Sequence, residues 1–167
     1  MTKVDALMGE MVAYMAGDPK RIQHFTKVYA YAGYIGRQEG LDPATQEILE
    51  MAALVHDIGI RKGEAEAGRS DGRIQEALGP DEAAILLKKL EVPEDWCRRI
   101  CYLVGHHHHY NAIDGPDYQI LVEADFLVNL FEDKVPKTGC ENALKKVFKT
   151  RTGQKLCREM YGLEENS

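Results

Sequence analysis

This sequence has no basic excess, no long apolar run and no alternating strand pattern, and each absence closes off a class of function. Its formal net charge is −6, so it lacks the basic surface that a general grip on nucleic acid requires, and no duplex partner is expected. A small anionic substrate stays open, because a bound metal reverses the sign locally. No segment approaches the roughly 20 apolar residues of a membrane span, so no membrane partner is expected. Met1 to Ala16 is an amphipathic pattern interrupted by Asp5 and Glu10, without the basic start and apolar core of a secretory signal. The expected address is the cytoplasm. Cysteine is scarce: Cys97, Cys101, Cys140 and Cys157. A zinc site of two Cys and two His would draw on Cys97, Cys101 and His106, but the spacing fits no C-x2-C knuckle. Reduced, mostly buried thiols are the expectation. There is no internal repeat and no linker implying a second domain, so one domain over residues 1–167 is expected.

What remains is helical periodicity. Val4 to Ala16 carries Leu7, Met8, Met11, Val12 and Met15 at helical spacing. Gly17-Asp18-Pro19 ends that helix and opens the next, with Asp18 as N-cap and Pro19 at the first helical position. The second helix runs to about Glu39, and Asp42-Pro43 caps a third from Ala44 to about His56. Gly59 to Gly72 is rich in glycine and charge, has no sustained apolar stripe, and reads as a loop. Helix resumes over Arg73 to Leu78 and, after Gly79-Pro80, over Asp81 to Leu90. Pro93 opens a further helix reaching the run His106 to His109. Asn111 to Pro116 reads as a turn. Tyr118 to Glu132 is apolar on nearly every side and is predicted to be central. Gly139 to Thr150 and Gln154 to Gly162 read as closing helices. The fold class predicted is all-α.

Chemistry concentrates at His56-Asp57, which ends the apolar stretch Met51 to Val55. Imidazole and carboxylate are the donors that divalent metals accept most readily. A carboxylate is rarely buried unless it is paired or bound to a metal. Asp125 sits in the middle of the most apolar helix, where a lone carboxylate is strongly disfavoured; a salt bridge, a capping contact or metal ligation would each satisfy it. Glu123, two residues away, points elsewhere and is expected to reach the surface. His24, beside Ile22 and Phe25, would be an ordinary histidine if it stood alone.

His24, His56-Asp57 and Asp125, in this order and all on helices, resemble the HD-domain superfamily of metal-dependent phosphohydrolases. The local contexts Arg21-Ile22-Gln23-His24-Phe25, Ala53 to Gly59 and Val122-Glu123-Ala124-Asp125 carry the likeness over about residues 20–132, leaving 133–167 as closing helices. The resemblance implies a helical bundle with a metal site in its core. His24, His56, Asp57 and Asp125 would hold one divalent ion, with Asp57 bridging to a second. Dinuclear relatives add two adjacent histidines, best matched here by His106-His107, with His108 as a substrate or supporting contact and His109 exposed. They also carry a histidine where this chain has Gly79. Glu76, one turn earlier, could supply an oxygen instead, or be an ordinary exposed glutamate. Several relatives have a lysine three residues after the aspartate. Here that position is Ile60, followed by Arg61-Lys62, which are candidate phosphate contacts or simply exposed charges.

The resemblance therefore implies hydrolysis of a nucleotide or another small phosphoester by a metal-activated water, with Asp57, His108, Arg61 and Lys62 in catalytic or phosphate-holding roles. The cofactor would be one or two divalent ions, drawn from iron, manganese, magnesium, nickel, cobalt and zinc. Relatives are often dimers, which extends the expectation of a homodimer to this chain. Two other readings stand beside it: a di-iron HD-fold oxygenase, suited by the histidine-rich ligand set, and a non-catalytic module that binds a nucleotide.

Overall fold

The computed structural model describes residues 1–165 and, among them, contains helices and no strand. Positions 166 and 167 of the expected domain lie outside the described residues. α1 (Lys3–Tyr14) starts at a reciprocal cap: the Thr2 hydroxyl accepts from the Asp5 amide while the Asp5 carboxylate accepts from the Thr2 amide. It buries Val4, Leu7 and Met11, while Val12 faces outward. α2 (Pro19–Gln38) and α3 (Pro43–Val55) begin as expected, with Asp18 and Asp42 accepting from the third amide of each helix and proline in the first turn. α3 is buried without a break from Met51 to Val55. It lies between α1, α2, α6 and α7.

The predicted loop after the dyad is a helix, α4 (Gly59–Ala67), ending at Gly68 in the left-handed conformation. Its sequence has no apolar stripe because side chains do little of its packing. A Cβ on Gly59 would lie 2.5 Å from the Gln75 carbonyl oxygen, and one on Gly63 would lie 2.7 Å from Ile74 Cγ2. The backbones of α4 and α5 therefore touch directly. Polar ties hold the outer side: Arg21 to Glu64, Lys62 to Glu82, and Arg61 to the Tyr14 carbonyl.

The two predicted helices around Gly79-Pro80 are one, α5 (Gly72–Lys89). Pro80 cannot donate to the Glu76 carbonyl, an interruption costing about 3 kcal/mol in a helix interior. Packing offsets it. A Cβ on Gly79 would come within 2.7 Å of Val104 Cγ1, and Gly105 faces the Pro80 ring. α5 is thus pressed onto α6 (Glu94–His106) at the residue expected to break it.

α7 (Pro116–Glu132) is the central helix, and most of its residues are buried. Glu123 does not reach the surface: it is 0% exposed. Its carboxylate accepts from the Thr150 hydroxyl at 2.7 Å, the Gln119 amide at 2.6 Å, and the backbone amides of Lys149 and Thr150. Burial raises its pKa, and these donors oppose the rise. It thereby ties α7 to the start of α9 (Arg151–Tyr161), which packs beside α8 (Lys137–Lys146). The four cysteines are free thiols, as expected. No helix among the described residues is long and apolar enough to cross a membrane.

Candidate metal centre

Three helices converge on one point. α2 contributes His24, the end of α3 contributes His56 and Asp57, and the middle of α7 contributes Asp125. Ligand-capable atoms of these four residues all lie within 4.8 Å of one another. His24 Nε2 is 3.2 Å from Asp125 Oδ1 and 3.3 Å from Asp57 Oδ2. His56 Nε2 is 3.3 Å from Asp57 Oδ2 and 3.4 Å from Asp125 Oδ1. His56 is wholly buried, and His24 and Asp125 are nearly so.

The outer nitrogens of both rings are committed. His56 Nδ1 donates to the Ala53 carbonyl at 2.7 Å, and His24 Nδ1 donates to Glu132 at 3.0 Å. Each Nε2 then faces inward, and the two stand 3.2 Å apart. Two lone pairs or two N–H groups at that distance repel, whereas one shared proton makes a hydrogen bond. A cation between them and the carboxylates would satisfy both rings and both carboxylates at once. Without a metal, protons carry that charge. Burial would lower the His24 imidazole, but the Asp125 and Asp57 carboxylates raise it to about 9. Burial would likewise lower His56, and the same carboxylates hold it well above the usual range. Burial would raise Asp57 and Asp125, yet the facing His56 charge pulls both below the usual carboxylate range.

A second group shares Asp57. Ligand-capable atoms of Asp57, His107 and His108 also lie within 4.8 Å of one another. His107 Nδ1 donates to the Val104 carbonyl at 2.9 Å, leaving Nε2 aimed at Asp57 Oδ1 at 3.3 Å. Both facing atoms are buried, and neither has a hydrogen-bond partner. Such orphaned atoms carry a desolvation cost that a cation would relieve. The donor set of two carboxylates and several imidazoles fits a divalent ion.

The adjacent pair at Asp57 is thus His107-His108, one residue later than the expected His106-His107. His106 is exposed, stacks on Tyr102 with ring centroids 4.0 Å apart, and donates from Nδ1 to the Tyr102 carbonyl. The Tyr118 hydroxyl reaches the carbonyls of both His106 and His109 and so sets the turn that aims His107 inward. His109 is exposed, as expected, and its Nε2 contacts Glu76 at 2.8 Å. Glu76 spends its other oxygen on the His108 amide at 3.1 Å, so it braces the histidine turn and stands outside both ligand groups. At Gly79 no side chain fits, because Val104 occupies the space.

Arg61 and Lys62 are also directed away: Arg61 bonds the Tyr14 carbonyl, and Lys62 pairs with Glu82 at 2.9 Å. A cation that does border the centre is Arg21, one turn before His24. With His24 and Asp57 it forms the polar lining of a small cavity walled by Met15, Phe25 and Ile60. It pairs with Asp18 at 2.7 Å and with Glu64. Sequence reasoning also passed over Glu132 and Asn129. Asn129 donates to Asp125 Oδ1 at 3.0 Å, and Glu132 orients His24 while pairing with Lys27 at 2.8 Å. Their signal was present: Asp125, Asn129 and Glu132 recur at i, i+4 and i+7 on one helix face.

The HD domain family model matches residues 21–137 of this sequence. No curated protein matches it significantly. Among solved structures, a predicted HD superfamily hydrolase from an uncultured Thermotogales bacterium aligns with a TM-score of 0.68 at 23% sequence identity, covering 95% of this chain and 84% of that one. At that identity the likeness establishes a shared fold.

Proposed function

The chain belongs to the HD-domain family, and from that premise we propose that it is a metal-dependent phosphohydrolase acting on a nucleotide or another small phosphoester. One observation carries the reading: three histidines have their Nδ1 atoms tied to acceptors and their Nε2 atoms turned toward the Asp57 and Asp125 carboxylates. His24, His56, Asp57 and Asp125 would hold one divalent ion. Asp57, His107 and His108 would face a second. A bound divalent ion supplies Lewis-acid chemistry, making water nucleophilic near neutral pH and offsetting charge that builds on phosphoryl oxygens.

The protein's own residues do the rest. Asp57 presents one oxygen to each group and so fixes their separation. Glu132 and the Ala53 and Val104 carbonyls hold the three rings in register. Arg21 borders the small cavity beside His24 and Asp57, and of its two partners, Asp18 and Glu64, the more exposed Glu64 is the one an incoming phosphate would displace. Arg21 therefore takes over the phosphate-holding role first expected of Arg61 and Lys62. The apolar wall of Met15, Phe25 and Ile60 limits water beside the centre.

The test is a panel of phosphomonoesters and phosphodiesters offered to metal-loaded protein. Turnover should depend on added divalent metal and should vanish in His56→Ala together with bound metal. No turnover of any ester, with His56→Ala retaining full metal content, sinks the reading. Two adjacent groups sharing a carboxylate also suit a di-iron oxygenase, which an air-sensitive iron spectrum in place of metal-dependent ester cleavage would reveal. Tight nucleotide binding without turnover would instead mark a binding module.

A further inference from the structure

The second group has three protein donors against four in the first, and the position that would complete it, Gly79, is filled by Val104. A further oxygen beside this group belongs to Gln75 on α5, where its one contact is a long hydrogen bond to His108. Its amide nitrogen donates to the Ser70 carbonyl at 2.6 Å, which turns Oε1 the other way, to 3.3 Å from His108 Nε2. The backbone under Gln75 is pressed against Gly59, two residues past Asp57, so this side chain is held close to the dyad. Gly72, on the same turn of α5, lies beneath the His108 ring, where a Cβ would come within 3.2 Å. The first turns of α5 thus form a cradle for His108, next to the orphaned Asp57 Oδ1 and His107 Nε2.

We propose that Gln75 Oε1 is the fourth protein donor of a second, weaker cation position made with Asp57 Oδ1, His107 Nε2 and His108. The inference rests on the metal-centre reading above but not on its hydrolytic chemistry. The chemistry of the two groups differs. The first holds two carboxylates, whereas the second holds one shared carboxylate, two imidazoles and a neutral amide. A site with less anionic charge and a half-buried rim binds more weakly and exchanges faster. A first-row divalent ion suits this mixed nitrogen and oxygen set better than calcium, which takes six to eight oxygens.

The experiment titrates metal-free protein with Co²⁺, following heat release and the visible absorption of the ion. Wild type should take up two ions per chain, the second at least about tenfold more weakly than the first. Gln75→Ala should weaken the second uptake a further tenfold or more and leave the first unchanged, and Gln75→Glu, with a charged oxygen, should restore or tighten it. Circular dichroism checks that each variant folds. Wild-type uptake of a single ion overturns the proposal and leaves the hydrolase reading standing, whereas uptake of none removes both. Equal weakening in the Ala and Glu variants also overturns it, because the amide would then only orient His108. An unchanged second uptake in Gln75→Ala does the same.

Discussion

The two ligand groups around Asp57 are built in opposite ways. The first draws its side chains from the interiors and ends of long helices, and three of its four members are braced by a further partner: His24 by Glu132, His56 by the Ala53 carbonyl, Asp125 by Asn129. The second hangs on the turn that follows α6. There His107 leans on one carbonyl, His108 is half-buried, and the turn is held from outside by Tyr118 and Glu76. A rigid, closed group beside a more open one is the division of labour that the proposed chemistry on an incoming ligand would use. Tight ligation fixes position, and an accessible neighbour leaves room for substrate.

The largest expected break in this contrast comes from the bracing of the rigid group. Glu132→Ala frees the His24 ring and should weaken the first bound ion by about 10–100-fold, the usual cost of losing such a support, while uptake at His107 and His108 is little changed. Calorimetric titration of metal-free protein separates the two. Changing pH should shift the contrast next. His24 is raised to about 9 in the folded, metal-free protein, above its unfolded value of 6.5. Its contribution to stability is therefore complete below pH 6.5 and is lost as pH rises through about 9. Asp57 and Asp125 are lowered, so their contribution is complete above about 3.8 and is lost on acidification. Thermal melts of metal-free protein should peak between these limits and fall toward pH 9. Metal-loaded protein should not show the alkaline fall, because the ion replaces the protons. A flat alkaline profile without metal would contradict the shared-charge account of the first group. The smallest effect is expected at the second group: Tyr118→Phe removes the hydroxyl that holds the His106 and His109 carbonyls. It should cost about 0.5–1.5 kcal/mol of stability and weaken only the second ion, as read by melting temperature and by Co²⁺ titration.

The same contrast explains what could be read from the sequence. His24, His56, Asp57 and Asp125 were legible because polar residues in or beside apolar helical stretches stand out, and their order and local contexts matched the HD-domain resemblance. The histidine turn was not. A run of four identical residues offers no internal register, and the choice of His107-His108 over His106-His107 is made by Tyr102 and Tyr118, whose contacts arise only in the folded chain. The same one-step ambiguity separates Glu76 from Gln75, about 100° apart on α5. α4 was missed because glycines pressed against another backbone look in sequence like a loop. Arg61 and Lys62 looked available because their partners, Tyr14 and Glu82, lie far off in the chain.

The glycine seam has a mechanical consequence. Where α4, α5 and α6 meet, at Gly59, Gly63, Gly79 and Gly105, the surfaces in contact are mostly backbone on at least one side. Backbone has no rotamers with which to absorb a shift. A push on α4 from solvent, or from whatever displaces Glu64 from Arg21, meets α5 backbone directly at Gly59, against the Gln75 carbonyl. That contact joins α4 to the first turns of α5, where Gln75 lies against the ring of His108. A helix with an exposed outer face is thus joined by backbone contact to the turn that cradles His108.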